Sequence, residues 1–209
     1  MRRTAAETRE HVLSVAHELF YWHGIRAVGI DRVAAEAGIA PTTLYRIFAN
    51  KDELVAAYVI RAHALSMDWF VEAVGKAGPD ARDQIDAAFE AMLSHLEPEQ
   101  FRGCVCMMTL AEFPDADLPA HQESVSAKAW IREQLGQLTK RLDGVADPAA
   151  LADQLMLVWE GTNATAQALG LTGPAQQARA LADVAIQVAT GGSSDRVGAW
   201  NKSAWDNQD

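Results

Sequence analysis

The sequence predicts an all-α protein: an N-terminal three-helix head with a helix-turn-helix, joined by a long helix to a C-terminal helical body. Three observations predict it. Apolar residues recur at three- and four-residue spacing over most of the 209 positions. Capping residues and glycine or proline stops fall at the ends of those runs. No stretch of any length alternates with the period of two that a strand requires.

Thr4-Ala5-Ala6-Glu7 is a capping-box pattern that opens a first helix, and Leu13, Ala16 and Phe20 repeat along it with Val12 and Leu19 beside them. Gly24 is the expected stop, since glycine takes the left-handed cap conformation at little cost. Ile30 to Ala37 forms a short second helix with Val33, Ala34 and Ala37 on one face, and Gly38 permits a sharp turn after it. Pro41 suits the first position of a third helix, where its missing N–H would be unpaired in any case. At 100° per residue this helix buries Leu44 and Phe48 and turns Thr42, Tyr45 and Arg46 outward, with Thr43 and Ile47 at the flanks.

Asn50-Lys51-Asp52-Glu53 is a second N-terminal box, with Asn50 as cap. The helix it opens runs to about Val74, roughly 35 Å, a length that suits a connector. Asp80 to Glu97 is amphipathic through Ile85, Phe89, Met92 and Leu96. Gly103 to Phe113 is almost wholly apolar and is expected to be buried. Leu118 to Leu142 follows, with Trp130, Ile131, Leu135 and Leu138 in register. Asp147-Pro148 starts a helix to about Leu169, and Gly173-Pro174 starts the last, to about Thr190. Residues 191–209 have the composition of a loop yet carry Trp200 and Trp205. The expected division is therefore 1–50 head, 51–190 body and 191–209 tail.

The net charge of −10 argues against nonspecific nucleic-acid binding by the whole chain, but the charge is uneven. Residues 1–51 carry seven basic and five acidic side chains, and the remainder eleven and twenty-three. A slightly basic head on an acidic body suits a protein that offers one end to a polyanion. No apolar run follows Arg2 and Arg3, and no stretch approaches the ~18 consecutive apolar residues of a membrane helix, so a cytoplasmic protein with no membrane partner is expected. The two cysteines, Cys104 and Cys106, suggest neither a disulfide framework nor a zinc pattern. The six histidines show no close ligand spacing, and no phosphate loop, nucleophile elbow or paired-carboxylate motif is present. No metal, no cofactor and no enzymatic activity are expected.

The run from Ala37 to Leu54, AGIAPTTLYRIFANKDEL, resembles the signature of the tetracycline-repressor (TetR) family of bacterial transcription regulators, and Phe20, Gly24 and Val33-Ala34 fit the same pattern. Arg102-Gly103-Cys104 with Glu112-Phe113-Pro114-Asp115 is similar to a segment of some actinobacterial members. The resemblance implies that Tyr45 and Lys51 contact phosphates with help from Thr43, and that Pro41, Thr42 and Arg46 face base edges in the major groove. The basic arm, Arg2 and Arg3, would reach the backbone or the minor groove. The chain departs from the family pattern at Gly29 and Ala40, where hydroxyl caps are usual, and at Ile47, often tyrosine or histidine.

The body is rich in soft and aromatic groups, and Trp69, Phe89, Met92, Cys104, Met107, Met108, Trp130 and Trp159 are candidates to line a pocket for a small apolar or aromatic effector. The competing reading of the same residues is a packed core, with Cys104 as a small buried apolar group. The last two helices are crowded with alanine, glycine and threonine, and the resemblance implies that they pair with their copies in a homodimer. A dimer also fits DNA geometry, since two heads read the two half-sites of a palindromic operator. The expected function is a ligand-responsive transcriptional repressor of double-stranded DNA. Its rivals are a helical ligand-binding or interaction protein, or an enzyme, whose head no longer binds DNA.

Overall fold

The computed structural model describes residues 4–96 and 101–191. Among these the chain is all helical: α1 Ala5–His23, α2 Ile30–Glu36, α3 Pro41–Ile47, α4 Lys51–Lys76, α5 Ala81–Ser94, α6 Val105–Glu112, α7 Pro119–Thr139, α8 Pro148–Leu169 and α9 Ala178–Ala189, with a 3-10 turn at Pro174–Gln177 leading into α9. Arg2, Arg3, Trp200 and Trp205 lie outside the described residues.

The caps read at Thr4, Asn50 and Asp147 form, and Asp80 caps α5 as well. Thr4 accepts from the Glu7 N–H while the Glu7 carboxylate accepts from the Thr4 N–H. Asp80 accepts from the N–H groups of Arg82 and Asp83, and Asp147 from those of Ala149 and Ala150. Asn50 accepts from the Glu53 N–H at 2.9 Å, but the Glu53 carboxylate reaches one residue further back, to the Ala49 N–H at 2.7 Å. The last helix starts later than its proline suggests. Its first turn is the tighter 3-10 form, and Gln177 supplies no side-chain cap where the α-helix begins.

Packing divides the chain into two compact units: Met1–Glu72 with Glu97–Trp130, and Ala73–Leu96 with Ile131–Asp209. The first unit's core gathers Val12, Leu13, Ala16 and Phe20 of α1, Val33 and Ala34 of α2, Leu44 of α3, Phe48 after it, and Leu54, Val55, Tyr58 and Val59 of α4. Leu44 and Phe48 are fully buried, and each contributes about 1.5–3 kcal/mol by leaving water. Cys106, Phe113, Ala120 and Ala127 join the same core from the later segment. The second unit is built around Ile85, Phe89, Met92, Leu135, Leu151, Leu155 and Trp159, all buried. Arg82 ties α5 to α9 through Asp183, as Arg179 does through Glu90.

The expected burial of the 103–113 segment holds for one face only. Cys106, Thr109 and Phe113, at i, i+3 and i+7, are buried, whereas Met107 is 49% exposed. Apolar content alone does not decide burial, because only the face turned to the core has anything to pack on.

Among the described residues α4 alone is long and apolar enough, by length and composition, to cross a bilayer. Packing accounts for part of that apolar character, since Ile60, Leu65 and Val71 are exposed. Leu54 to Val59 fill the first unit's core, and Arg61 carries a salt bridge to Glu10 of α1 at 2.7 Å.

Candidate nucleic-acid interface

The site is built by α2, the turn after it, and α3. Gly38 has φ of +65°, a conformation that L side chains rarely adopt, and this residue turns the chain between the two helices. The Gly38 N–H donates to the Ala35 carbonyl and the Ile39 N–H to the Ala34 carbonyl, at 3.1 and 3.0 Å. His11 of α1 holds the end of α2, its Nε2 donating to the Ala37 carbonyl at 3.1 Å. Neither Gly29 nor Ala40 offers a side-chain cap, so α2 and α3 begin without one, as their residue types foretell.

The α3 helix presents the face expected of it. Pro41, Thr42, Tyr45 and Arg46 are exposed, Thr43 and Ile47 are half-buried, and Leu44 and Phe48 anchor the other side. Tyr45 is 49% exposed, and neither it nor Arg46 makes a side-chain hydrogen bond or ion pair among the described residues. The anchor is reinforced from α1 by the Arg9 guanidinium, 5.1 Å from the centre of the Phe48 ring. A rigidly seated helix thus carries two free hydrogen-bonding groups, one aromatic and one cationic.

Lys51 lies at the base of the head. Its Nζ donates to the Arg26 carbonyl at 3.4 Å, and burial pushes its pKa down against the raising pull of Glu112 and Asp52.

Two attachments of the head were not foreseen. The Glu112 carboxylate, at the end of α6, accepts from the Ile25 and Arg26 N–H groups at 2.9 and 2.6 Å, and the Arg26 Nε donates to the Glu112 carbonyl at 2.6 Å. The Tyr21 hydroxyl, near the end of α1, accepts from the Arg102 and Gly103 N–H groups at 2.7 and 3.2 Å and donates to the Gly103 carbonyl at 3.1 Å. Burial raises the Tyr21 pKa, so the hydroxyl stays neutral and serves both roles. The segment 102–112 is fastened to the head at both its ends.

Of the eight pocket candidates, three belong to the second unit and five to the first. Phe89, Met92 and Trp159 are packed into the core of the second unit, with the Phe89 and Trp159 rings edge-on at 5.4 Å. Trp69 and Trp130 are half-buried in the first unit, where Trp130 meets Phe70 at 5.3 Å and His63 at 5.8 Å. Met107 is exposed, Met108 half-buried, and Cys104 partly exposed beside Lys128. Among the described residues no three His, Cys, Asp or Glu side chains are grouped to hold a metal ion. His121 instead donates from Nδ1 to the Phe113 carbonyl.

The pattern that describes bacterial regulatory proteins of the tetR family matches residues 12–58, the span that holds α2, the turn and α3. HTH-type transcriptional regulators of Staphylococcus aureus are 41% identical over 61 residues, 29% of this chain. That stretch spans 32% of the relative's length. Over the whole fold, a tetR transcriptional regulator of Streptomyces avermitilis is 30% identical, with a TM-score of 0.72 over 86% of this chain and 98% of that one. A TetR-family transcriptional regulator of Streptomyces coelicolor superposes with a TM-score of 0.83 at 28% identity, over 88% and 97% of the two chains.

Proposed function

Because this chain belongs to the TetR family of bacterial transcriptional regulators, we propose that it is a ligand-responsive repressor that binds a palindromic operator as a homodimer. The relatives it matches are transcriptional regulators and not enzymes. The observation that carries the reading is the α3 face: a helix pinned by Leu44 and Phe48 with Tyr45 and Arg46 exposed and unengaged. In this reading residues 1–50 read DNA, 51–190 hold the effector and the partner subunit, and 191–209 form a tail. Pro41, Thr42 and Arg46 face base edges, while Thr43, Tyr45 and Lys51 contact phosphates.

The homodimer is supported by α8 and α9. Leu157, Gly161, Ala164 and Ala168 form an exposed stripe along α8, and Leu181 and Val188 lie exposed on α9. Leu157 is 74% exposed and Val188 67%, a poor arrangement for a lone chain in water and a good one for a second copy. The effector reading is supported by Trp69 and Trp130, large aromatic groups that are not sealed into a core. A ligand there releases DNA only through its differential affinity for the bound and released conformations. A protein that reads the chromosome in this way works in the cytoplasm.

The test is binding to the DNA upstream of the protein's own gene. Arg46→Ala is expected to weaken it by about 1–3 kcal/mol, the value of one good base contact. If the dimer contacts about eight phosphates, log K falls against log salt with a slope of about −7. Lys51→Ala should flatten that slope by about one per subunit. Unchanged binding in both variants, or a slope near zero, refutes the reading. A thermal-shift screen of small aromatic metabolites then searches for the effector, and dependence of any shift on Trp130 locates it.

A further inference from the structure

Cys104 is the N-cap of α6, partly exposed, with its sulfur 3.2 Å from the Lys128 ammonium of α7. The Cys106 thiol and the Met107 backbone lower its pKa as Lys128 does, while the Cys104 side chain makes no capping hydrogen bond to α6. The hydrogen bond from Cys106 chiefly holds the Cys104 thiol well below its ordinary value, against burial, with the Lys128 charge adding to it. The other ionisable groups that act on this neighbourhood are Arg102, Tyr21 and Tyr58. A cysteine kept only for packing is surrounded by apolar groups and inert, whereas this one has an ammonium against its sulfur and a second thiol two residues on.

We propose that Cys104 is a covalent modification site for soft electrophiles of the α,β-unsaturated carbonyl class, served by Lys128, and that its alkylation weakens DNA binding. The thiolate attacks the β-carbon and a new S–C bond forms. The C=C pair moves onto the carbonyl oxygen as an enolate, and the α-carbon then takes a proton from water or from Lys128, which is reprotonated by solvent. Nothing leaves and no oxidant is consumed. Lys128 suits the electrophile because a donor beside the sulfur can also hydrogen-bond the oxygen on which the charge develops. A disulfide with Cys106 would instead close a ring across a single intervening residue at a helix start, a strained alternative.

The route to the head is short. Cys104 follows directly on Arg102 and Gly103, whose backbone groups grip the Tyr21 hydroxyl, and α6 ends at Glu112, which grips residues 25 and 26. A group added at the sulfur must displace Lys128 or this strap. This second half of the proposal rests on the DNA-binding reading above.

The experiment treats the full chain with 2-cyclohexen-1-one, maps adducts by peptide mass against time, and measures affinity for the upstream DNA before and after. At neutral pH only a few per cent of an ordinary thiol is ionised, so Cys104 should react about tenfold faster than glutathione. Lys128→Met should slow the reaction several-fold and move its pH midpoint upward, and Lys128→Arg should restore much of the rate. Alkylation should raise the Kd for DNA about tenfold in the wild type and leave Cys104→Ser unaffected. A rate no higher than that of glutathione, or an unslowed Lys128→Met, overturns the site. Should Lys128→Met fail to fold, the wild-type pH–rate profile decides, and a midpoint at or above about 8.5 overturns it. Consumption by peroxide but not by the enone overturns the ligand class. Unchanged DNA affinity after alkylation overturns the regulatory half. Failure of the unmodified chain to bind DNA overturns the repressor reading and that half with it, and the rate measurement still decides the site.

Discussion

Replacing Glu112 by alanine should loosen the head more than any single change on the exposed face of α3. The carboxylate accepts two backbone N–H groups, from Ile25 at 2.9 Å and Arg26 at 2.6 Å, at a turn where neither is satisfied by helix. Hydrogen bonds to a charged acceptor are worth about 1.5–3 kcal/mol each. The Arg26 side is exposed, and alanine leaves room for water at both groups, so the sum is discounted to about 2 kcal/mol. For a chain of this size, 1 kcal/mol moves the melting temperature by about 2–4 °C, which gives a fall of about 4–8 °C. Glu112→Gln should recover little, because its amide nitrogen meets one of the two N–H donors as another donor. Thermal melting of the three proteins in one buffer checks this. A Glu112→Ala variant that melts within about 1 °C of the parent, or a glutamine variant equal to the parent, refutes the clamp as described.

Other expectations come from the same geometry. Tyr21→Phe removes the oxygen that accepts from Arg102 and Gly103, and should cost about 1–3 kcal/mol in urea denaturation through the donors it leaves unpaired. Leu157→Glu alters a side chain that is 74% exposed, so stability of the single chain should change by no more than about 0.5 kcal/mol while sedimentation shows dimer becoming monomer. Burial lowers the pKa of His17 and of His63 below their ordinary 6.5. The unfolded chain therefore binds more protons at mildly acid pH, and the stability that these residues contribute is complete above about 6.5 and lost as pH falls below it. The urea midpoint should decline from pH 7.5 to pH 5.5, and a His17→Gln, His63→Gln double variant should decline less steeply.

Much of this structure is legible because local rules and the fold agree. Thr4, Asp80 and Asp147 announce helix starts by their own side chains, and each does cap the helix behind it. The face of α3 follows from helical periodicity alone, since Leu44 and Phe48 share one side and Tyr45 and Arg46 the other. What periodicity does not contain is long-range pairing. Glu112 reads as an ordinary acid, and its partner Ile25 is 87 residues away; Tyr21 and Gly103 are 82 apart. Soft and aromatic composition is likewise ambiguous. Trp159 and Trp130 are equally apolar in sequence, yet the first is sealed in a core and the second is half-buried.

The strap from Arg102 to Glu112 bears on how such regulators are recombined. Suppose the body were moved to another head by a cut after Asn50, the boundary proposed above from the sequence. In this chain that cut would separate Tyr21 and Glu112 from the partners on which both depend. A chimera that carries residues 102–113 along with the head keeps those hydrogen bonds whole. One cut by sequence alone would express two halves that each fold around an absent neighbour. The unit of exchange is a discontinuous one, defined by who holds whom and not by where the chain passes from one role to the next.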